Sequence, residues 1–108
     1  MSKKAIVVIS TARSEKEGGK IAQHLVEKKL AACVNVIPRV KSFFYWEGKL
    51  CQEKEAMLFI KTVEGKLKRL INEIKNIHSY EVPEIIFLKV DGGEKAYLQW
   101  IEKALEEK

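Results

Sequence analysis

His78, Tyr80 and Glu81 stand within four residues of one another, the one compact cluster of chemically able side chains in the chain. An imidazole can ligate a metal or carry a proton. A neighbouring carboxylate can complete a metal site or accept a hydrogen bond. The competing reading is a polar loop leaving a helix, with the tyrosine packed on the core. The only other histidine, His24, falls mid-helix and outside ligand spacing, so it reads as structural. Lys61 sits in a strand-like run between Phe59-Ile60 and Thr62-Val63. It can bind an anion or pair with Glu55 or Glu81; the plainer alternative is an edge lysine whose stem lies along apolar surface. Cys33, beside Asn35, has no histidine near it in sequence to make it a nucleophile, and reads as a small buried hydrophobe. Cys51 reads as a tip or interface residue. Zinc-finger spacing, phosphate loops, GxGxxG and GxSxG are absent from the sequence.

These residues are positioned by a long hairpin spanning 31–62. Its first arm carries Val34, Val36, Ile37, Val40, Phe43, Phe44, Tyr45 and Trp46, and its second Leu50, Met57, Leu58, Phe59 and Ile60. A turn at Glu47-Gly48 joins them. The first arm, fully extended at ~3.3 Å per residue, reaches about 50 Å. A compact domain of this size has a radius of gyration near ~13 Å. The hairpin must therefore bend or project. The tip aromatics Phe43, Phe44, Tyr45 and Trp46 can stack on a ligand, but packing against another subunit is the better reading. Pro38 cannot donate to the ladder, which predicts a bulge, bend or break. A two-residue turn pairs Val36 with Phe59 and Ile37 with Leu58, yet it also sets Lys41 against Lys54; a bulge at Pro38 or a longer turn would shift the pairing, so the register stays open.

The remaining elements follow from periodicity. Residues 5–10 form an apolar run suited to a central strand buried on both faces. Ser14 and Glu17 suggest a capping box opening a helix with Ile21, Ala22, Leu25, Val26 and Leu30 on one face. Gly18 and Gly19 weaken its first turns, with close packing as the suggested reason. A second helix over 64–77 carries Leu67, Leu70, Ile71, Ile74 and Ile77. Pro83 biases Val82 away from helix, a strand covers 84–90, and a last helix starts near Glu94. The order is βαββαβ plus a terminal helix, an α+β ferredoxin-like arrangement. Two helices cover one sheet face. One short terminal helix is too small to cover the other, which again points to oligomerisation.

The chain of 108 residues reads as one domain over 1–108. Its net charge of +5 is spread among interspersed Lys and Glu, which argues against nucleic-acid binding. No apolar run approaches a membrane span. Two unpaired cysteines and no signal-peptide core suggest the cytoplasm.

The segments Ala31-Ala32-Cys33-Val34-Asn35, Tyr45-Trp46-Glu47-Gly48, Phe59-Ile60-Lys61-Thr62 and His78-Ser79-Tyr80-Glu81-Val82-Pro83-Glu84, with the closing Tyr97-Leu98-Gln99-Trp100-Ile101, closely resemble the divalent cation tolerance protein CutA family. The resemblance runs from about Ile6 to Leu105. It implies a ferredoxin-like fold in a tight homotrimer similar to the PII signalling proteins, with long strands extending sheets between subunits. It also implies a cytoplasmic, heat-stable protein associated with tolerance to copper and other divalent metals, without an attached enzymatic reaction. The family's polar positions correspond to Cys33, Glu55, Lys61, His78, Tyr80 and Glu81, around a cleft between subunits. Some members are thought to hold copper through a cysteine ending the first strand and adjacent histidines before the tyrosine. Here the first strand ends in Ser10 and Ile77 precedes His78. Copper(I) favours thiolates and copper(II) several imidazoles, so one histidine makes a poor copper site. The expectation is weak or indirect binding of copper or another divalent cation, with His78 and Glu81 as the metal pair. The alternative is a PII-like adaptor trimer holding a small anionic ligand near Lys61, Tyr80 and Glu81.

Overall fold

The computed structural model describes residues 3–106, so residues 1, 2, 107 and 108 of the expected domain lie outside the described residues. The elements are β1 (Ala5–Ala12), α1 (Glu15–Glu27), β2 (Cys33–Trp46), β3 (Lys49–Val63), a 3-10 turn (Glu64–Lys66), α2 (Leu67–Ile77), β4 (Ile85–Lys89) and α3 (Lys95–Ala104). The strands form one sheet in the order β2-β3-β1-β4, and every neighbouring pair is antiparallel. This is the ferredoxin-like α+β fold with a helix appended.

Paired residues on neighbouring strands share a face, and the two faces differ. Ile6 and Val8 of β1 and Leu58 and Ile60 of β3 are fully buried with Ile21, Leu25, Leu70 and Ile74 of the two helices. The opposite face carries Val7, Ile9, Met57 and Phe59, which are only half-buried, and Ile86 and Leu88, which pair with Ile9 and Val7. Ile86 and Leu88 are 54% and 57% exposed. β1 is thus central but not buried on both faces as its unbroken apolar run suggests. α3 covers one end of this open face, where Ile101 and Leu105 pack on Val63. Ser10 is buried on the helix face and its hydroxyl has no hydrogen-bond partner among the described residues.

The hairpin turns through Glu47 and Gly48 at φ 50° and 78°, the left-handed pair of a type I′ turn. Near the tip the register is that of a two-residue turn, Lys41 opposite Lys54 included. At Pro38 and Arg39 two residues stand against the single Ala56, with Arg39 at φ 59°. The pairing beyond is shifted by one, so Val36 meets Leu58 and Ile37 meets Met57, not Phe59 and Leu58. A one-residue slip exchanges the two faces of a strand. The bulge therefore turns Val34 and Val36 toward the helices while the tip keeps its own register. The molecule measures 46 × 26 × 21 Å, elongated by this pair.

Ser14 caps α1 by accepting the N–H of Glu17 at 3.1 Å. Gly18 is buried where a Cβ would lie 3.3 Å from both Leu58 and Val36, so close packing explains this glycine. Gly19 has nothing within 4 Å of that position. The helix-propensity gain of Gly19→Ala is therefore expected undiminished, at about 0.5–1 kcal/mol. Gly18→Ala has the same gain opposed by overpacking and should be less stable than Gly19→Ala by ~1 kcal/mol or more. Denaturant melts at matched protein concentration measure both; equal effects would refute the packing role.

Candidate functional site

The loop after α2 is tied to three elements. α2 stops at Ile77 because His78 adopts an extended conformation (φ −81°, ψ 143°). The Thr11 carbonyl can only accept, so His78 Nε2–H donates to it, at 2.7 Å. The Tyr80 N–H can only donate, so His78 Nδ1 accepts from it, at 2.9 Å. These two bonds define a neutral ring with its proton on Nε2. The His78 and Tyr80 rings lie 4.8 Å apart. The Tyr80 hydroxyl then donates to Glu55 Oε2 at 2.7 Å, across to β3 beside the bulge. The Ser79 N–H donates to Glu17 Oε2 at 2.9 Å, and the Arg13 N–H to Glu17 Oε1 at 3.0 Å.

Glu17 is the residue sequence reasoning missed. Its place three residues after Ser14 suggested the reciprocal half of a capping box. Instead its carboxylate joins the start of α1 to the loop after α2. Burial pushes the Glu17 carboxyl up, but donors from Ser79 and Arg13 outweigh it, and the group lies below its usual range. Burial raises the Glu84 carboxyl, with Glu55 adding repulsion. The Tyr80 phenol is raised well above its ordinary value by burial, and then by its bond to Glu55.

The expected cleft residues form two separate groups within one chain. Tyr80 and Glu55 meet near the bulge. Lys61 and Cys33 are paired residues six positions further along β3, about 20 Å away at strand rise. Lys61 pairs with neither Glu55 nor Glu81. Its Nζ lies 5.7 Å from the centre of the Tyr97 ring, which stacks on Trp100. Cys33 is half-buried, with its thiol 3.9 Å from Asn35 Oδ1; Cys51 is likewise half-buried, and both are free thiols. Glu81 is exposed. A metal at His78 would have to take a ring nitrogen from Thr11 or Tyr80. Among the described residues, no group of three or more His, Cys, Asp or Glu side chains is arranged to hold a metal ion. His24 is half-buried and bridges to Glu73 at 2.5 Å, joining α1 to α2. Phe43, Tyr45 and Trp46 are 63%, 75% and 63% exposed, and Phe44 is also exposed.

Fold and loop together define a small ferredoxin-like α+β protein with a bulged, projecting hairpin and a polar loop bound to the sheet end. The model of the CutA1 divalent ion tolerance protein family matches residues 6–104, and this chain belongs to that family. It is 44% identical over 96 residues to a divalent-cation tolerance protein CutA of Archaeoglobus fulgidus, covering 89% of this chain and 93% of that one. The chloroplastic Protein CutA 1 of Oryza sativa is 40% identical over 103 residues, 95% of this chain but 58% of its own length. The chain thus spans little more than half of that plant relative. The crystal structure of CutA1 from Oryza sativa superposes with a TM-score of 0.94 at 38% identity, covering 99% and 98% of the two chains. The rice relative is called chloroplastic and an Archaeoglobus fulgidus structure periplasmic, so these names do not support the expected cytoplasmic location. No helix among the described residues is long and apolar enough to cross a membrane.

The Tyr80–Glu55 bond has a pH consequence. The folded phenol holds its proton more tightly than an unfolded tyrosine, which ionises near pH ~10. Its stabilisation is full below that pH and falls as pH rises through the folded value. Tyr80→Phe should lower stability at neutral pH by about 1 kcal/mol and flatten the loss of stability above pH ~10. Denaturant midpoints against pH test this; an unchanged alkaline slope would contradict it.

Proposed function

We propose that this chain is a homotrimeric divalent-cation tolerance protein that meets metal ions weakly or indirectly, without catalysing a reaction. Assembly is supported chiefly by the apolar sheet face that α3 covers only at one end, with Ile86 and Leu88 more than half exposed. A bare face of this kind and four exposed tip aromatics call for a cover. Copies of this chain supply both surfaces. Phe43, Phe44, Tyr45 and Trp46 then serve as interface residues. Assembly would also provide the cleft in which Cys33 and Lys61 of one subunit could approach Tyr80 and Glu55 of another.

Weak metal contact is supported by the chemistry of the ring. His78 has both nitrogens engaged, and Glu81 is the carboxylate nearest in sequence. Copper or another divalent cation would displace a backbone hydrogen bond for one imidazole and one exposed carboxylate. That exchange favours modest affinity. A PII-like signalling trimer with a small anion near Lys61, Tyr80 and Glu81 has less behind it. The matched family and the Archaeoglobus fulgidus relative are named for divalent-ion tolerance, not for signalling.

Calorimetric titration with copper(II) and zinc(II), on the unsubstituted protein and on His78→Ala, tests the metal half. The expected result is saturable binding weaker than about 1 μM that His78→Ala reduces further. No saturable heat would end direct binding, and nanomolar affinity would end the weak-site reading.

A further inference from the structure

On the helical side of the molecule, the first turns of α1 and the end of α2 enclose an open cleft of about 480 Å³. Arg13, Lys16 and Lys20 line it; Lys16 and Lys20, four residues apart, share a face of α1, and Arg13 stands just before its Ser14 cap. Their side chains make no ion pair or hydrogen bond among the described residues. Glu17 is the one acid lining the cleft, and its two oxygens accept the N–H groups of Arg13 and Ser79. His24, at the far wall, is engaged by Glu73. The cleft therefore holds three cations against one carboxylate, a net positive charge, beside the apolar side chains of Ile21 and Ile77. Ser14 accepts from the Glu17 N–H, which leaves its own O–H free to donate.

We propose that this cleft binds a small phosphorylated ligand. A phosphate carrying nearly two negative charges matches the excess of three cations over the Glu17 carboxylate. The Arg13 guanidinium offers a planar fork for two phosphate oxygens, and Lys16 and Lys20 act as point charges. The two isoleucine side chains suit the organic part of a phosphate ester. The cleft lies on the helix side of the sheet, opposite the open face. Assembly through that face leaves it accessible, and its occupancy does not depend on the metal reading.

The test is calorimetric titration with pyrophosphate as the probe, on the unsubstituted protein and three variants. The unsubstituted protein should bind saturably at one site per chain. Arg13→Gln/Lys20→Gln should weaken binding by roughly tenfold or more, as expected for lost bonds to charged groups. Lys28→Gln/Lys68→Gln removes the same charge from exposed positions outside the cleft, and it should leave binding within about twofold. Lys61→Gln should do the same. Thermal melts check folding, and Lys20→Gln alone carries the comparison if the double variant does not fold. Three results overturn the proposal: no saturable binding, equal weakening by the Lys28/Lys68 pair, or loss in Lys61→Gln with the cleft variant unaffected.

Discussion

A four-stranded sheet with both its main helices on one side leaves its other side to be solved. That constraint governs this molecule. The helix face is closed around Ile6, Val8, Leu58 and Ile60, while the open face has α3 at one end and half-buried or exposed apolar side chains elsewhere. Covering such a surface is worth about 25 cal/mol per Å² of apolar area removed from water. Contact with another copy is a direct way to gain it. The projecting hairpin has the same origin. It is too long to fold back onto its own sheet, and among the described residues its exposed aromatics meet only their cross-strand neighbours in the hairpin.

The bulge at Pro38 and Arg39 reconciles two demands on one strand. The base of β2 must send Val34 and Val36 to the helices. The tip must keep the register that its type I′ turn imposes. One extra residue on β2 allows both. The loop from His78 to Tyr80 reaches this same region, since Tyr80 bonds Glu55 directly beside the bulge. A polar network thus runs from the end of α2 through His78 and Tyr80 to the base of the projecting arm. Glu17 binds the same loop to the start of α1. Any ligand that captures His78 acts on a group already holding this junction together.

Periodicity was enough to read the strand and helix order, because each element buries one regular face. Ser14 announced the start of α1, and Pro38 announced an irregularity in β2. Proline does not say which way the pairing shifts, so the sequence leaves the partners of Val36 and Ile37 open, and the bulge moves them by one. The polar residues were harder. Glu55 and Lys61 share a strand face, which made them plausible partners, but six residues of extended chain separate them. His78 drew attention by its type, yet the fact that both its nitrogens are occupied depends on Thr11, which is remote in sequence. Glu17 looked like a local cap because its second partner, Ser79, comes from the far end of another helix. Local signals carried the elements; long-range hydrogen bonds decided the site.

The central claim is that copies of this chain cover the open face and the hairpin. Sedimentation equilibrium at low micromolar concentration tests it most directly. A single species of about three times the 12.4 kDa chain mass is expected. A species that stays at one chain mass, with its apolar face and tip aromatics in water, would contradict it.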